Sequence, residues 1–181
     1  MVAELRQVGN SERTMAAQRA FADIIVAADP RDHYLASYSY FDQNVELEDG
    51  SFWSIRGSDM HKILGWAQND PLTICPNNRL FGSTYLIQNR VTGETVEADL
   101  IVGPVAFGGN THWVVAIDVW LHRVYLEDGT YWDVRGIDSI SQWSVNDTII
   151  LGDGRNEWFG RHDSILINVN LNTYVYANTG A

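Results

Sequence analysis

Sulfur, positive charge and long apolar runs are all scarce in this chain, and each scarcity removes a class of function. A single cysteine, Cys75, rules out an internal disulfide. It suits a reducing compartment, and no charged segment ahead of an apolar one marks a signal peptide, so the cytoplasm is slightly favoured. Lys and Arg number 12 against 23 Asp and Glu, a formal net charge of −11. A surface of that sign repels a phosphate backbone, so no nucleic-acid partner is expected. No apolar run approaches the roughly 18 residues that a membrane-spanning helix needs.

Catalytic signatures are missing as well. There is no Gly-x-Ser-x-Gly, and Cys75 lies in a short strand-like run before a proline, the setting of a structural thiol. Gly152-Asp153-Gly154 follows a strand without opening a helix, so it does not read as a phosphate loop. The alternating acids and distal Glu of a calcium loop are absent. His33 and His112 occupy matching places in the chain, but neither has a second ligand two or four residues further on. They read as hydrogen-bonding residues and not as a metal pair. The expectation is a chain with no metal, no cofactor and no catalytic residues.

What is present is a repeat. Leu47-Glu48-Asp49-Gly50-Ser51-Phe52-Trp53 returns as Leu126-Glu127-Asp128-Gly129-Thr130-Tyr131-Trp132, a displacement of 79 positions from 47 to 126. The same offset relates Tyr34 to Trp113, Phe41 to Trp120, Arg56 to Arg135 and Ala98 to Ala177. A two-residue deletion, later compensated, brings Trp66 onto Trp143 and Asp70 onto Asp147. A period this long indicates a duplicated domain more than a solenoid. The division is an N-terminal extension at 1–29, a first repeat with its linker at 30–107 and a second repeat at 108–181. Units of about 70 residues bury little surface alone, so the two are expected to pack together around a pseudo-two-fold axis.

Asp-Gly between alternating apolar residues signals a hairpin. A three-residue loop Glu48-Asp49-Gly50 with Gly50 left-handed pairs Val45 with Trp53. It is the register that places Val45, Leu47, Trp53 and Ile55 on one face. Copy two repeats this with Val124, Leu126, Trp132 and Val134. Each copy then carries six short strands and one helical turn, Ser58 to Leu64 in copy one and Ile137 to Gln142 in copy two. The fold class expected is mainly β: a tandem of small SH3-like, partly open β-barrels behind an N-terminal α-helix. That helix, from Ser11 to about Ala28, ends at Asp29-Pro30 and reads as the cover of an open edge or end of the β unit, with a partner-binding or oligomer helix as the alternative. The apolar linker Leu100 to Phe107 reads as lying on the barrel surfaces.

The same register puts Phe52, Glu46 and Glu48 on the opposite face, and Tyr125, Tyr131, Glu127 and Asp133 in copy two. The acids alternate with core positions, which marks a solvated strand face. Seven Trp and eight Tyr exceed what a small core absorbs, and exposed rings supply rigid contact area. The candidate binding residues are therefore Phe52, Trp120, Tyr125, Tyr131 and Trp158, with the loop from Gly152 to Arg161.

The run Leu-Glu-Asp-Gly-Ser-Phe-Trp, the Trp66/Asp70 pair and Ile165-Leu166-Ile167-Asn168-Val169-Asn170 resemble small conserved hypothetical proteins of chlamydia-like bacteria. The resemblance covers roughly 33–177 and implies a bacterial origin with no assigned activity. The leading expectation is a non-catalytic adaptor that binds another protein. A carbohydrate-binding module, with Tyr125, Tyr131 or Trp158 stacked on sugar rings, is the alternative. A hydrolase with its site between the repeats comes third.

Overall fold

The computed structural model describes residues 29, 31–105, 111–135, 140–154 and 163–180. Two closed six-stranded antiparallel barrels follow one another along the chain. The first comprises β1 (Asp32–Ser39), β2 (Asn44–Leu47), β3 (Phe52–Ile55), β4 (Pro71–Pro76), β5 (Tyr85–Asn89) and β6 (Thr95–Val102). The second comprises β7 (Thr111–Asp118), β8 (Arg123–Leu126), β9 (Tyr131–Val134), β10 (Thr148–Asp153), β11 (Ser164–Asn168) and β12 (Thr173–Thr179). Strand order round the first is β1-β2-β3-β6-β5-β4, and the second repeats it strand for strand.

Closure comes from one bent strand per barrel. Asp32 to Tyr34 of β1 pair with β4, whereas Leu35 to Ser39 pair with β2, and the register shifts between Leu35 and Ser37. In β7 the shift falls at the equivalent Val114 and Ala116. An extra residue at that point increases local twist and lets one strand serve two neighbours. The barrels are thus closed where a partly open form was expected, and they leave no open sheet edge for a helix to cover. The expected N-terminal helix lies outside the described residues.

The central hairpins have the expected register. Val45 pairs with Trp53 and Val124 with Trp132, and Gly50 and Gly129 stand at φ +80° and +85°. Other left-handed residues recur in step, Gln43 with His122, Asn69 with Asn146 and Gly93 with Asn172. The duplication therefore extends to single backbone conformations.

Copy one's helical turn is a correction. In place of Ser58 to Leu64 capped by Ser58 there are two 3-10 turns, Gly57–Asp59 and Lys62–Gly65, neither with a side-chain cap. Met60, Ile63 and Trp66 are all buried. Their spacing of three matches the 3-10 repeat, which aligns residues i and i+3, and the segment is too short to sustain an α-helix. In copy two, Ile140 and Trp143 take the places of Ile63 and Trp66, while 136–139 lie outside the described residues.

Each barrel encloses an apolar core, and the first core continues into the second barrel. Ile150, Ile165 and Ile167 pack with Ile74, Tyr85 and Trp53, and Tyr174 joins them. The equivalent strands β4 and β10 lie against each other, close enough that a Cβ on Gly152 would sit 2.7 Å from the carbonyl oxygen of Ile74. Burial on the flanking strands is not mirrored. Every residue of β11 is buried, whereas its counterpart β5 leaves Gln88 exposed. The residues account for this: Ser-Ile-Leu-Ile-Asn is apolar on both faces, Tyr-Leu-Ile-Gln-Asn is not.

Candidate functional site

Among the described residues, the turns between the first two strands of each barrel present the two most exposed aromatic side chains. In barrel one the β1–β2 turn carries Tyr40 and Phe41, with Phe41 97 % exposed. In barrel two the β7–β8 turn carries Val119, Trp120 and Leu121, with Trp120 93 % exposed. These are equivalent places in the repeat, so each copy holds an aromatic side chain in water at the same position, while the 77–84 loop of copy one exposes a further one, Phe81.

The turns are pinned at both ends. The carboxylate of Asp118 accepts hydrogen bonds from the amides of Trp120 and Leu121, both at 2.9 Å. In copy one Ser39 donates its hydroxyl to Asp42 at 2.6 Å. Gln43 and His122 close the turns in the left-handed region, and their carbonyls accept from Ile55 and Val134 at 2.7 and 2.8 Å. Such local side-chain bonds fix a turn without help from its apolar tip. Apolar exposure continues along the adjoining strands through Tyr38 in β1 and Trp113 and Val115 in β7. Acids flank both tips, Asp42 and Glu46 in one copy, Asp118 and Asp133 in the other.

The residues expected from sequence fall in different settings. Trp120 is in solvent, as described. Phe52 is half-buried on β3, opposite Glu46 and Val102. Tyr125 and Tyr131 face each other at 5.9 Å between ring centroids, tilted by 38°. The Arg123 guanidinium lies 4.6 Å over the Tyr131 ring and donates to Asp133 at 2.7 Å. Gly180 rests against the same ring so closely that any side chain there would overlap it. Trp158, and most of the loop from Gly152 to Arg161, lie outside the described residues. Of the four that are described, the structure brings Tyr125 and Tyr131 into ring contact.

Phe41 is what the reading of the residues passed over. Its alignment with Trp120 was visible, but aromatic content at the end of a strand reads as core.

The paired histidines have a defined role in the geometry. His33 is fully buried, with Nδ1 3.0 Å from Glu48 Oε1 and Nε2 2.8 Å from the Leu151 carbonyl oxygen in barrel two. A carbonyl oxygen and a carboxylate are both acceptors, an arrangement that favours the doubly protonated ring. Burial pulls the His33 pKa down, but the hydrogen bond and charge of Glu48, the Leu151 carbonyl and the charge of Asp49 outweigh it and raise it above 6.5. For Glu48 burial pushes up, and the bonds and charge of His33 with the Tyr34 amide bring it below its ordinary value. His112 and Glu127 make the same clip at 2.8 Å, and Glu127 accepts from the Trp113 amide at 2.9 Å. Histidine and glutamate recur fifteen residues apart in both copies, a signal that only the repeat makes readable.

Among the described residues no group of three or more His, Cys, Asp or Glu could hold a metal ion. No helix among them is long and apolar enough to cross a membrane. No family model, curated protein or solved structure matches the chain.

Proposed function

We propose that the chain is a non-catalytic adaptor that binds another protein through the two turn tips, Tyr40-Phe41 and Val119-Trp120-Leu121. The observation that carries this reading is the duplicated exposure. A ring in solvent adds nothing to barrel stability, yet two copies that have diverged elsewhere both place one at the same turn. Single exposed apolar residues need no explanation. A matched pair on pinned turns has the form of two preorganised anchors, the residue type that dominates binding energy at protein interfaces. The acids around each tip and the net charge of −11 favour a partner that combines apolar pockets with basic residues.

The carbohydrate reading rests on Tyr125 and Tyr131, whose rings are engaged with each other, Arg123 and Gly180. A hydrolytic site between the repeats would have to share the junction with Ile150, Ile165, Ile167 and Tyr174. Neither has an observation in its favour comparable to the paired tips.

The test is quantitative capture from cells that express the chain, comparing wild type with Phe41→Ser, Trp120→Ser and the double variant. Unfolding free energies should stay within about 0.5 kcal/mol of wild type, as for surface substitutions. One and the same protein should be retained by wild type, reduced by each single change and lost with both. Equal retention by the double variant would sink the proposal.

A further inference from the structure

Barrel one has a polar cleft. It is a cavity of about 450 Å³ lined by Arg56, Lys62 and Arg79, with Asp59, Glu97 and Thr95. At its base the Glu97 carboxylate is almost wholly buried, 4 % exposed. It accepts from Arg56 at 2.8 Å on one oxygen and from Arg79 at 3.0 Å on the other. Lys62, the chain's single lysine, donates to Asp59 at 2.8 Å and to the Thr95 carbonyl at 2.9 Å.

Three features separate this from an ordinary structural ion pair. First, the barrel does not need it: Arg56 donates its amide to the Glu97 carbonyl, Arg135 donates its amide to the Tyr176 carbonyl, and so tyrosine stands in copy two where Glu97 stands in copy one. A buried carboxylate is costly unless fully paired, and the second barrel folds the same way without one. Second, the local backbone is built around it. The 77–84 loop folds down so that a Cβ on Gly82, at φ +138°, would stand 2.6 Å from Glu97 Oε2. Third, the charge does not balance. Two acids and three bases leave a formal excess of one positive charge, in a chain whose total is −11. Each arginine contacts Glu97 through one terminal nitrogen and remains more than half exposed. Glu97 therefore aligns two planar forks, each with donors to spare.

We propose that this cleft binds a small molecule through a multiply charged oxyanion group, of the phosphate-ester or dicarboxylate kind. Guanidinium forks match the oxygen geometry of both, and the volume suits a small ligand. Arg56 and Arg79 supply the bridging donors, Lys62 adds charge, and Glu97 positions both arginines without touching the ligand. The site is independent of the turn tips, so failure of either proposal leaves the other standing.

The experiment follows the arginine Nε–H and Ser83 amide resonances of the full chain during titration with inorganic phosphate, pyrophosphate, citrate and malonate at constant ionic strength. Saturable shifts confined to Arg56, Arg79 and Ser83 are expected with at least one probe, and the strongest probe separates the phosphate from the carboxylate class. Arg56→Gln and Arg79→Gln, both at exposed side chains, should each weaken that binding by about tenfold or more. Arg135→Gln should leave it unchanged. Linear shifts with every anion, or equal binding by Arg79→Gln, would overturn the proposal.

Discussion

The two Leu-Glu-Asp-Gly hairpins are near-identical in sequence and backbone, yet one is a buried joint and the other a free loop. In copy one the Asp49 side chain is buried and accepts from the Thr111 hydroxyl of the second barrel at 2.7 Å. The Asp49 carbonyl accepts from the Val105 amide at 2.9 Å. In copy two Asp128 is exposed, and its carboxylate accepts from its own turn, the Thr130 amide and hydroxyl at 2.8 and 2.7 Å, and lies 3.8 Å from His112 Nδ1 of the same barrel. Both aspartates bond the residue two positions on, as an Asx turn does. Among the described residues, the first alone has an additional partner across the junction. What the pair teaches is that local residues decide the turn, while chain order decides its surroundings: the first copy's hairpin meets the incoming second copy.

The largest expected difference is at the turn glycines. Replacement by alanine at φ near +80° costs about 1–2 kcal/mol in either copy. At Gly129 the added Cβ meets open space, whereas at Gly50 it would stand 2.5 Å from Val105 Cγ2. Gly50→Ala should therefore cost a further ~1–3 kcal/mol of overpacking. Chemical unfolding of the two variants measures this, and equal losses would erase the asymmetry between the hairpins.

A smaller effect is expected from pH. His33 has a raised pKa, so its contribution is fully present below 6.5 and is lost as pH rises through its folded value. Glu48 has a lowered pKa, so its contribution is present above 4.5 and is lost as pH falls through its folded value. Between these limits the clip to barrel two is intact. Stability should fall by on the order of 1 kcal/mol on the alkaline side, the worth of one hydrogen bond. His33→Gln should flatten that limb. An unchanged alkaline slope in the variant would assign the titration to another group.

Much of the fold was legible because the repeat checks itself. Val45, Leu47, Trp53 and Ile55 named the inward face, and only one hairpin register satisfied both copies. Six strands per copy followed from the turns between them. Closure was not legible, since it depends on a register shift at Leu35 and Val114 that leaves no mark in composition. Nor was the 3-10 geometry, which emerges from where Met60, Ile63 and Trp66 meet the core. The candidate surface was read least well. Tyr131's setting is made by Arg123 across the hairpin and by Gly180 from the far end of the chain. Phe41 needed exposure to be distinguished from core, and Glu97 needed Arg79, eighteen residues away, to become a site. The burial of Ile165-Leu166-Ile167 on both faces was not read from the sequence, because the second barrel's contact with the first is what covers the outer face.

Amide hydrogen exchange at the two hairpin tips tests the central asymmetry most directly. Gly50 and Gly129 donate equivalent bonds, to Leu47 and Leu126 carbonyls at 2.9 and 3.1 Å, so bond geometry alone predicts similar rates. If the first hairpin is the joint between barrels, Gly50 and Ser51 should exchange only on opening of the junction, many-fold more slowly than Gly129 and Thr130. Matching rates at the two tips would contradict the account.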